Sequence, residues 1–300
     1  MQPNITHTSC PLCNHSHIHK VLSVKDYSVS SENFEIWECK KCTFRFTQNI
    51  PDAQNIGPYY QSSAYISHSD TKKGFINRLY HIARNFTIKS KKHLVEKYSH
   101  RRKGNLLDVG AGTGAFVEAM QNEGWHTTGL EPDENARKNA LTIHHVQLIP
   151  IEEISSLTEN GFDAITLWHV LEHVHNLHEY MEHFKKLLRK DGVLIIALPN
   201  HASYDAQVYA GAWAAYDVPR HLWHFSPQSF DVLARHHGFN IIAHKPMWLD
   251  SYYISLLSEK YLTGKNNPAK AFITGTVSNC KALLNIEKCS SVIYILTPNP

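Results

Sequence analysis

Residues 105–120, Asn-Leu-Leu-Asp-Val-Gly-Ala-Gly-Thr-Gly-Ala-Phe-Val-Glu-Ala-Met, run from a short apolar segment through three glycines spaced two apart into a helical pattern. A strand that turns into a helix over glycines offers bare peptide N–H groups at the helix N-terminus, where a small polar ligand can approach the backbone. Asp108 stands at the end of the strand, and Glu131 closes the next apolar run, 21 residues after Gly110. A carboxylate so placed accepts hydrogen bonds from ribose hydroxyls, so the loop points to a nucleoside. Gly110-x-Gly112-x-x-Ala115 also fits the loose dinucleotide fingerprint, but Gly114 makes the pattern Gly-x-Gly-x-Gly, and Asp108 would repel a pyrophosphate while suiting a ligand with positive charge. A loop that only turns the chain is the remaining alternative. No Gly-x-x-x-x-Gly-Lys-Ser/Thr occurs, which excludes a Walker phosphate loop.

From residue 104 onward, short apolar runs alternate with helical patterns, the signature of βαβ units and a mainly parallel, doubly wound sheet. Candidate strands are Leu106–Val109, Thr127–Leu130, Ala164–Trp168 and Val193–Leu198, with two later ones at Asn240–Ala243 and Val292–Leu296. Leu177, Tyr180, Met181, Phe184, Leu187 and Leu188 predict a helix closed by Lys190-Asp191-Gly192, with the glycine at its C-terminal position. The 300 residues, 42% hydrophobic and 19% charged, suffice for a domain of about 200 residues plus an appendage, and exclude a disordered chain.

At the glycine loop the chain resembles the class I S-adenosylmethionine-dependent methyltransferases, whose first motif reads like Leu107-Asp108-Val109-Gly110-Ala111-Gly112-Thr113-Gly114. Phe162 to Val174, with Trp168-His169-Val170-Leu171-Glu172-His173, looks like the fourth strand and following turn of the subgroup that includes the ubiquinone-pathway O-methyltransferases. The resemblance implies a seven-stranded Rossmann-like sheet with an antiparallel last strand. It implies Asp108, Gly110, Gly112 and Gly114 at the methionine end of S-adenosyl-L-methionine, and Glu131 at its ribose. By the same resemblance the adenine rests near Ile151 and Glu152, and Trp168 and His169 lie near the sulfonium.

Cys10-x2-Cys13 and Cys39-x2-Cys42 set two thiolate pairs at the spacing of a tetrahedral zinc site. Two disulfides are the alternative, and an expected cytosolic location argues against them. Four thiolates close the coordination sphere, so the zinc is expected to be structural, folding a segment too small for its own core. The organisation read from the sequence is a zinc-ribbon-like module at 1–48, a linker with basic amphipathic helices at 49–103, and the methyltransferase-like domain at 104–300. The cysteine-rich front followed by Gly57-Pro58-Tyr59-Tyr60 resembles a bacterial methyltransferase architecture associated with sugar and secondary-metabolite modification.

Between Lys72 and Lys103 eleven basic residues face one acid, so that stretch is +10 and the remainder of the chain −7. Phe75, Ile76, Leu79, Ile82, Ala83 and Phe86 form its apolar stripe; the other face is a solvated surface, a patch for a phosphate-bearing acceptor, or an RNA surface. The longest apolar run, Val193–Leu198, is too short to cross a bilayer, and Met1-Gln2-Pro3-Asn4 does not begin a signal peptide, so the chain is expected in the cytosol.

Segments after the strand ends roof the crevice of such a sheet, which brings Tyr216-Asp217-Val218-Pro219-Arg220-His221-Leu222-Trp223-His224 to the acceptor side. Methyl transfer needs the acceptor held in line and its proton removed. His221 is the expected base, His224 the alternate and Arg220 an anion or substrate clamp, with Trp213, Tyr216 and Trp223 as pocket walls or core; a packed lid without a proton role is the alternative. His169, Glu172 and His173 share one helical face, where a divalent metal competes with plain packing. A zinc protease is excluded because His178-Glu179-Tyr180-Met181 is followed by Glu182. The function expected is methyl transfer to an oxygen or carbon of a small molecule such as a sugar nucleotide, the alternatives being an RNA methyltransferase and a non-catalytic cofactor-binding regulator. The oligomeric state is left open.

Overall fold

The computed structural model describes residues 4–61 and 75–299, without the side chains of 75–85. In the front segment β1 (Asn4–Ile5) pairs antiparallel with β5 (Ile50–Pro51), while β2 (Ile18–Lys25), β3 (Asn33–Cys39) and β4 (Arg45–Gln48) form an antiparallel meander. Asp26 closes the β2–β3 turn by accepting hydrogen bonds from the Ser28, Val29 and Ser30 N–H groups, at 2.9, 3.2 and 2.8 Å. Asn14 and Thr43, each directly after the second cysteine of its pair, hold left-handed backbone (φ 57° and 58°), which turns each Cys-x2-Cys segment back on itself.

A 25-residue helix α1 (Phe75–Ser99) follows. The expected apolar residues Phe75, Ile76, Leu79, Ile82 and Ala83, and the basic Lys72, Lys73, Arg78 and Arg84, lie outside the described side chains. Phe86, expected on the apolar stripe, is 63% exposed, a correction to that stripe; burial of the helix falls instead on Leu94 and Val95. The remaining elements are β6 (Asn105–Val109), α2 (Ala115–Asn122), β7 (His126–Leu130), α3 (Glu134–His144), β8 (Phe162–Trp168), α4 (Leu177–Leu187), β9 (Leu188–Pro199), α5 (Tyr204–Tyr209), β10 (Trp223–His224), α6 (Pro227–His236), β11 (Phe239–Pro246), α7 (Asp250–Thr263), α8 (Pro268–Leu284) and β12 (Ser291–Pro298). All six strand candidates read from the sequence are strands here.

The central sheet runs β11-β12-β9-β8-β6-β7, with β6, β7, β8 and β9 parallel and β12 antiparallel to both of its neighbours. Seven strands were expected and six form among the described residues. Beyond β7 a single parallel bridge joins Leu130 to Ile149, and Pro150 follows at once with no N–H to extend the pairing. Alternate strand residues feed two cores: Leu107, Ile165, Leu194 and Ile196 pack with Met181 and Phe184 of α4, whereas Leu106, Ala164, Val193 and Ile195 pack with Leu94 of α1 and Phe116 of α2. Helices thus cover both faces, and the strand order reverses between β6 and β8, where such sheets open a ligand crevice.

The glycine expected to cap α4 does not do so. Leu188 leaves the helix in extended conformation (ψ 137°), and β9 begins there, carrying Arg189 to Gly192 past an irregularity in the β8–β9 register. Register with β8 overrides the local stop signal. The two-residue β10 pairs with β4, so the sheet of the front segment has the order β10-β4-β3-β2.

Candidate functional site

β6 delivers Asp108 to the sheet end with its side chain buried, because position 108 alternates into a crevice that β7 and β8 flank. The Thr166 hydroxyl of β8 donates to Asp108 Oδ1 at 2.6 Å. Burial nevertheless pushes the Asp108 carboxyl up to about 7, against the pull of that hydroxyl and of the Lys91 ammonium, with Glu131 adding to the rise. The glycine loop then takes left-handed backbone at Gly110, Gly112 and Gly114 (φ 71°, 56° and 81°). A Cβ at Gly110 would overlap Val170 Cγ2, so the loop packs directly on the segment after β8; above Gly112 there is open space. Gly114 caps α2 without a side-chain bond, which leaves the first turn of the helix facing the crevice.

Glu131, one residue past β7, reaches back across the loop. Its Oε2 accepts from the Gly112 N–H at 2.8 Å and its Oε1 from the Asp133 N–H at 3.0 Å, while burial raises its carboxyl above the ordinary range. Its own N–H donates to the Ile149 carbonyl, which places the 3-10 helix Ile151–Ser156 beside it, with Ile151 half-buried and Glu152 exposed.

Trp168 ends β8, edge-on to Phe116 at 5.7 Å, with its buried Nε1 unpartnered; Lys91 Nζ of α1 lies 4.5 Å from the centre of its ring. His169 follows in left-handed backbone (φ 59°), a conformation that costs a β-carbon-bearing residue energy and accumulates at functional sites. Its Nε2 meets Asp250 Oδ2 at 2.9 Å and its Nδ1 meets Glu172 Oε1 at 3.4 Å; these two carboxylates outweigh burial and raise His169 to about 10.

Glu172 is buried, with the long His169 contact as its one ion pair among the described residues, and it faces His169, His173 and His221. One ligand-capable atom each of Glu172, His173 and His221 lies within 4.8 Å of the others, so His221 takes the place the sequence reading gave to His169, which Asp250 draws away. His221 Nδ1 donates to the Ala215 carbonyl at 2.8 Å, leaving Nε2 as its basic nitrogen, and its ring stands edge-on to His173 at 4.4 Å. His173 Nδ1 is 3.1 Å from both the Arg220 carbonyl oxygen and the Tyr60 hydroxyl, and burial with the neighbouring His221 lowers it to about 4.

Two expectations on the acceptor side need correction, and one open alternative is resolved. Arg220 is buried with its guanidinium committed to Asp217 (2.6 and 3.0 Å), Asp26 (3.0 Å) and the Tyr59 carbonyl (2.8 Å), so it is no free anion clamp. His224 lies in β10 under the front segment, donating from Nε2 to Thr47 Oγ1 at 2.9 Å, since the threonine hydroxyl itself donates to the His221 carbonyl. Trp213, Tyr216 and Trp223 are core rather than pocket wall: their polar atoms bond Asp205, Arg45 and the Val174 carbonyl.

Thr166, Lys91, Asp250 and Tyr60 belong to this site and were not read from the sequence as site residues. A threonine inside the apolar Ala164–Trp168 run was a usable signal; Lys91 was one lysine in a basic run, and Asp250 lies far along the chain.

The four cysteines converge: Cys10 and Cys42 sulfurs are 3.6 Å apart, as are those of Cys13 and Cys39, and all four lie within 4.8 Å of one another as free thiols. Sulfurs on one tetrahedral zinc stand roughly 3.8 Å apart, given Zn–S bonds near 2.3 Å, so the donor set fits.

Residues 81–244 match the family model of a methyltransferase domain. A ubiquinone biosynthesis O-methyltransferase of Haemophilus ducreyi is 36% identical over 107 residues, covering 32% of this chain and 45% of that protein. The mitochondrial ubiquinone biosynthesis O-methyltransferase of Bos taurus is 28% identical over 154 residues, 45% of this chain and 41% of that one. The chain spans about half the length of the curated relatives it matches. Among solved structures, phosphoethanolamine N-methyltransferase 2 of Haemonchus contortus, in complex with S-adenosyl-L-methionine, superposes with a TM-score of 0.53 at 13% identity over 85% of this chain and 63% of that one. Magnesium protoporphyrin IX methyltransferase of Synechocystis PCC 6803, with bound SAH, gives 0.52 at 11% identity over 80% and 97%. At these identities the likeness speaks to the fold.

Proposed function

This chain belongs to the methyltransferase domain family, and from that premise we propose that it transfers a methyl group from S-adenosyl-L-methionine to an oxygen or carbon of a small molecule. The observation that carries the reading is the bond from the Gly112 N–H to Glu131, which joins the glycine loop and the acid of the next strand into one cradle with open space above it. Bound there, S-adenosylmethionine would supply an activated methyl on a sulfonium. Asp108 would hold its cationic methionine end and Glu131 its ribose; Ile151 and Glu152 would flank the adenine, and Trp168 and His169 the sulfonium.

On the acceptor side His221 acts as base. Its Nδ1–H is tied to a carbonyl, so only Nε2 is available to take a proton, and the buried Glu172 carboxylate, which faces both His169 and His221, stabilises the imidazolium that forms. The O-methyltransferase relatives favour a hydroxyl as the acceptor group. A sugar nucleotide is less well served, because the cation meant for its phosphates, Arg220, is spent on Asp26 and Asp217. An RNA acceptor is also disfavoured: Lys92 pairs with Glu123, Arg101 with Asp163 and Asp191, and Lys91 faces inward, so part of the basic stretch is used up inside the fold.

Cys10, Cys13, Cys39 and Cys42 would hold a structural zinc, which would leave it no open position for substrate. Among the described residues no helix is long and apolar enough to cross a membrane.

The test is turnover of S-adenosylmethionine to S-adenosylhomocysteine with phenols, sugar nucleotides and tRNA as acceptors. Turnover with a small hydroxyl compound, reduced by about 10² to 10⁴ in His221→Gln with cofactor affinity unchanged, is expected. Turnover confined to tRNA, with steep salt dependence, would replace this reading by the RNA one; cofactor binding without turnover on any acceptor would leave a regulator.

A further inference from the structure

Three imidazoles remote from the cradle meet at one point of the surface. His178 is the second residue of α4, His236 the last of α6, and His237 follows it; one ring nitrogen from each lies within 4.8 Å of the others. The rings of His178 and His237 are 5.0 Å apart and those of His178 and His236 5.4 Å. His178 Nε2 donates to the Pro11 carbonyl at 2.9 Å, which fixes the tautomer and leaves Nδ1 as a lone pair aimed at His237 Nε2, 2.7 Å away. Pro11 lies between Cys10 and Cys13, so the His178 ring is bolted to the first cysteine turn.

We propose that His178, His236 and His237 bind a second metal ion, a borderline divalent cation of the zinc class, separate from the four-cysteine site. Three imidazoles suit Zn²⁺ and its neighbours among the transition metals. An imidazole that gives its other ring N–H to a backbone carbonyl is the device by which metal sites orient their ligands, and His178 already has it. Ligand nitrogens on one tetrahedral zinc stand roughly 3.3 Å apart, given Zn–N bonds near 2.0–2.1 Å. The His178 and His237 rings therefore open slightly, and the ion takes the place of the proton they share. The fourth position falls to water. The ion would fasten the ends of α4 and α6 beside the cysteine turn.

Metal analysis of the untagged full chain, stripped, reloaded with Zn²⁺ and desalted, tests this. Two zinc ions per chain are expected, falling to one in H236A/H237Q, and His237→Gln alone, which removes a ligand, should weaken the imidazole-bound equivalent by more than the about 10- to 100-fold that losing an outer-shell partner costs. His236 is exposed, so His236→Ala gives a second variant that does not threaten folding. Loading with Co²⁺ separates the sites. The thiolate set gives intense sulfur-to-metal charge transfer, and the imidazoles add only weak ligand-field bands, which the double variant loses. Loss of the thiolate band alone would count against the cysteine zinc and leave this inference standing. A wild-type chain that holds no ion beyond the thiolate-bound one, or a double variant that still holds two, overturns it.

Discussion

Burial pushes the Asp108 carboxyl up to about 7, above the ordinary carboxylate range, although Thr166 and Lys91 both pull it down. A raised carboxyl is partly protonated below that value, whereas a cationic ligand needs the carboxylate. Affinity for S-adenosylhomocysteine, which keeps the ammonium, should therefore fall as pH drops through about 7, by up to about tenfold per unit, and level off above it. Calorimetry between pH 5.5 and 8.5 checks the slope, and Asp108→Asn should flatten it and weaken binding about 100-fold at pH 8. Arg220 carries a different prediction. Arg220→Met strands the buried Asp26 and the half-buried Asp217 and should cost about 3–5 kcal/mol in urea unfolding. In the wild type Arg220 holds Asp217 below its ordinary value, and the Ser30 N–H with Arg220 does the same for Asp26, so their stabilisation is present above about pH 4 and lost as pH falls through the lowered folded values. In Arg220→Met the sign reverses: mild acid should recover stability by protonating the stranded pair. The meeting of Glu131 with the glycine loop was legible in the sequence because a loop and the next strand are local. Arg220 was misread because its partner Asp26 stands 194 residues away.

At the scale of elements, the period-2 and period-3.6 patterns were enough to find every strand of the central sheet and the helix α4. They failed where one element's register is set by another. α4 ends at Leu187 because β9 must pair with β8 from Leu188, so Gly192 lies in a strand and not at a cap. The cysteine spacing was readable for the reason that metal sites are: four donors need only two turns, and the left-handed Asn14 and Thr43 supply them. Cys39→Ser removes one donor from a closed set, and it should lower zinc content from the cysteine site and reduce Tm by several degrees, measured by metal analysis and thermal unfolding. Retention of full zinc and an unchanged Tm would argue that the four thiols serve another purpose.

The whole molecule is more continuous than a front module joined by a linker suggests. β10 completes the sheet of the front segment, and one apolar cluster contains Cys10, Phe44 and Phe46 together with Leu222, Trp223, Phe225 and strand residues of the central sheet. No periodicity in the first 48 residues could announce this, because the strand that completes their sheet comes from residues 223–224. If the four cysteines bind zinc as proposed, the shared core predicts that chelation lowers the melting of the entire chain in one transition; a separate early transition for the front segment, with the rest unmoved, would show two independent units. Titration of S-adenosylhomocysteine into zinc-replete, folded protein at pH 8 tests the cofactor cradle itself. One site per chain with measurable heat, abolished by Gly112→Val and weakened by Asp108→Asn, is the result predicted. No heat from the wild-type chain would contradict the assignment of the glycine loop, and with it the methyltransferase account.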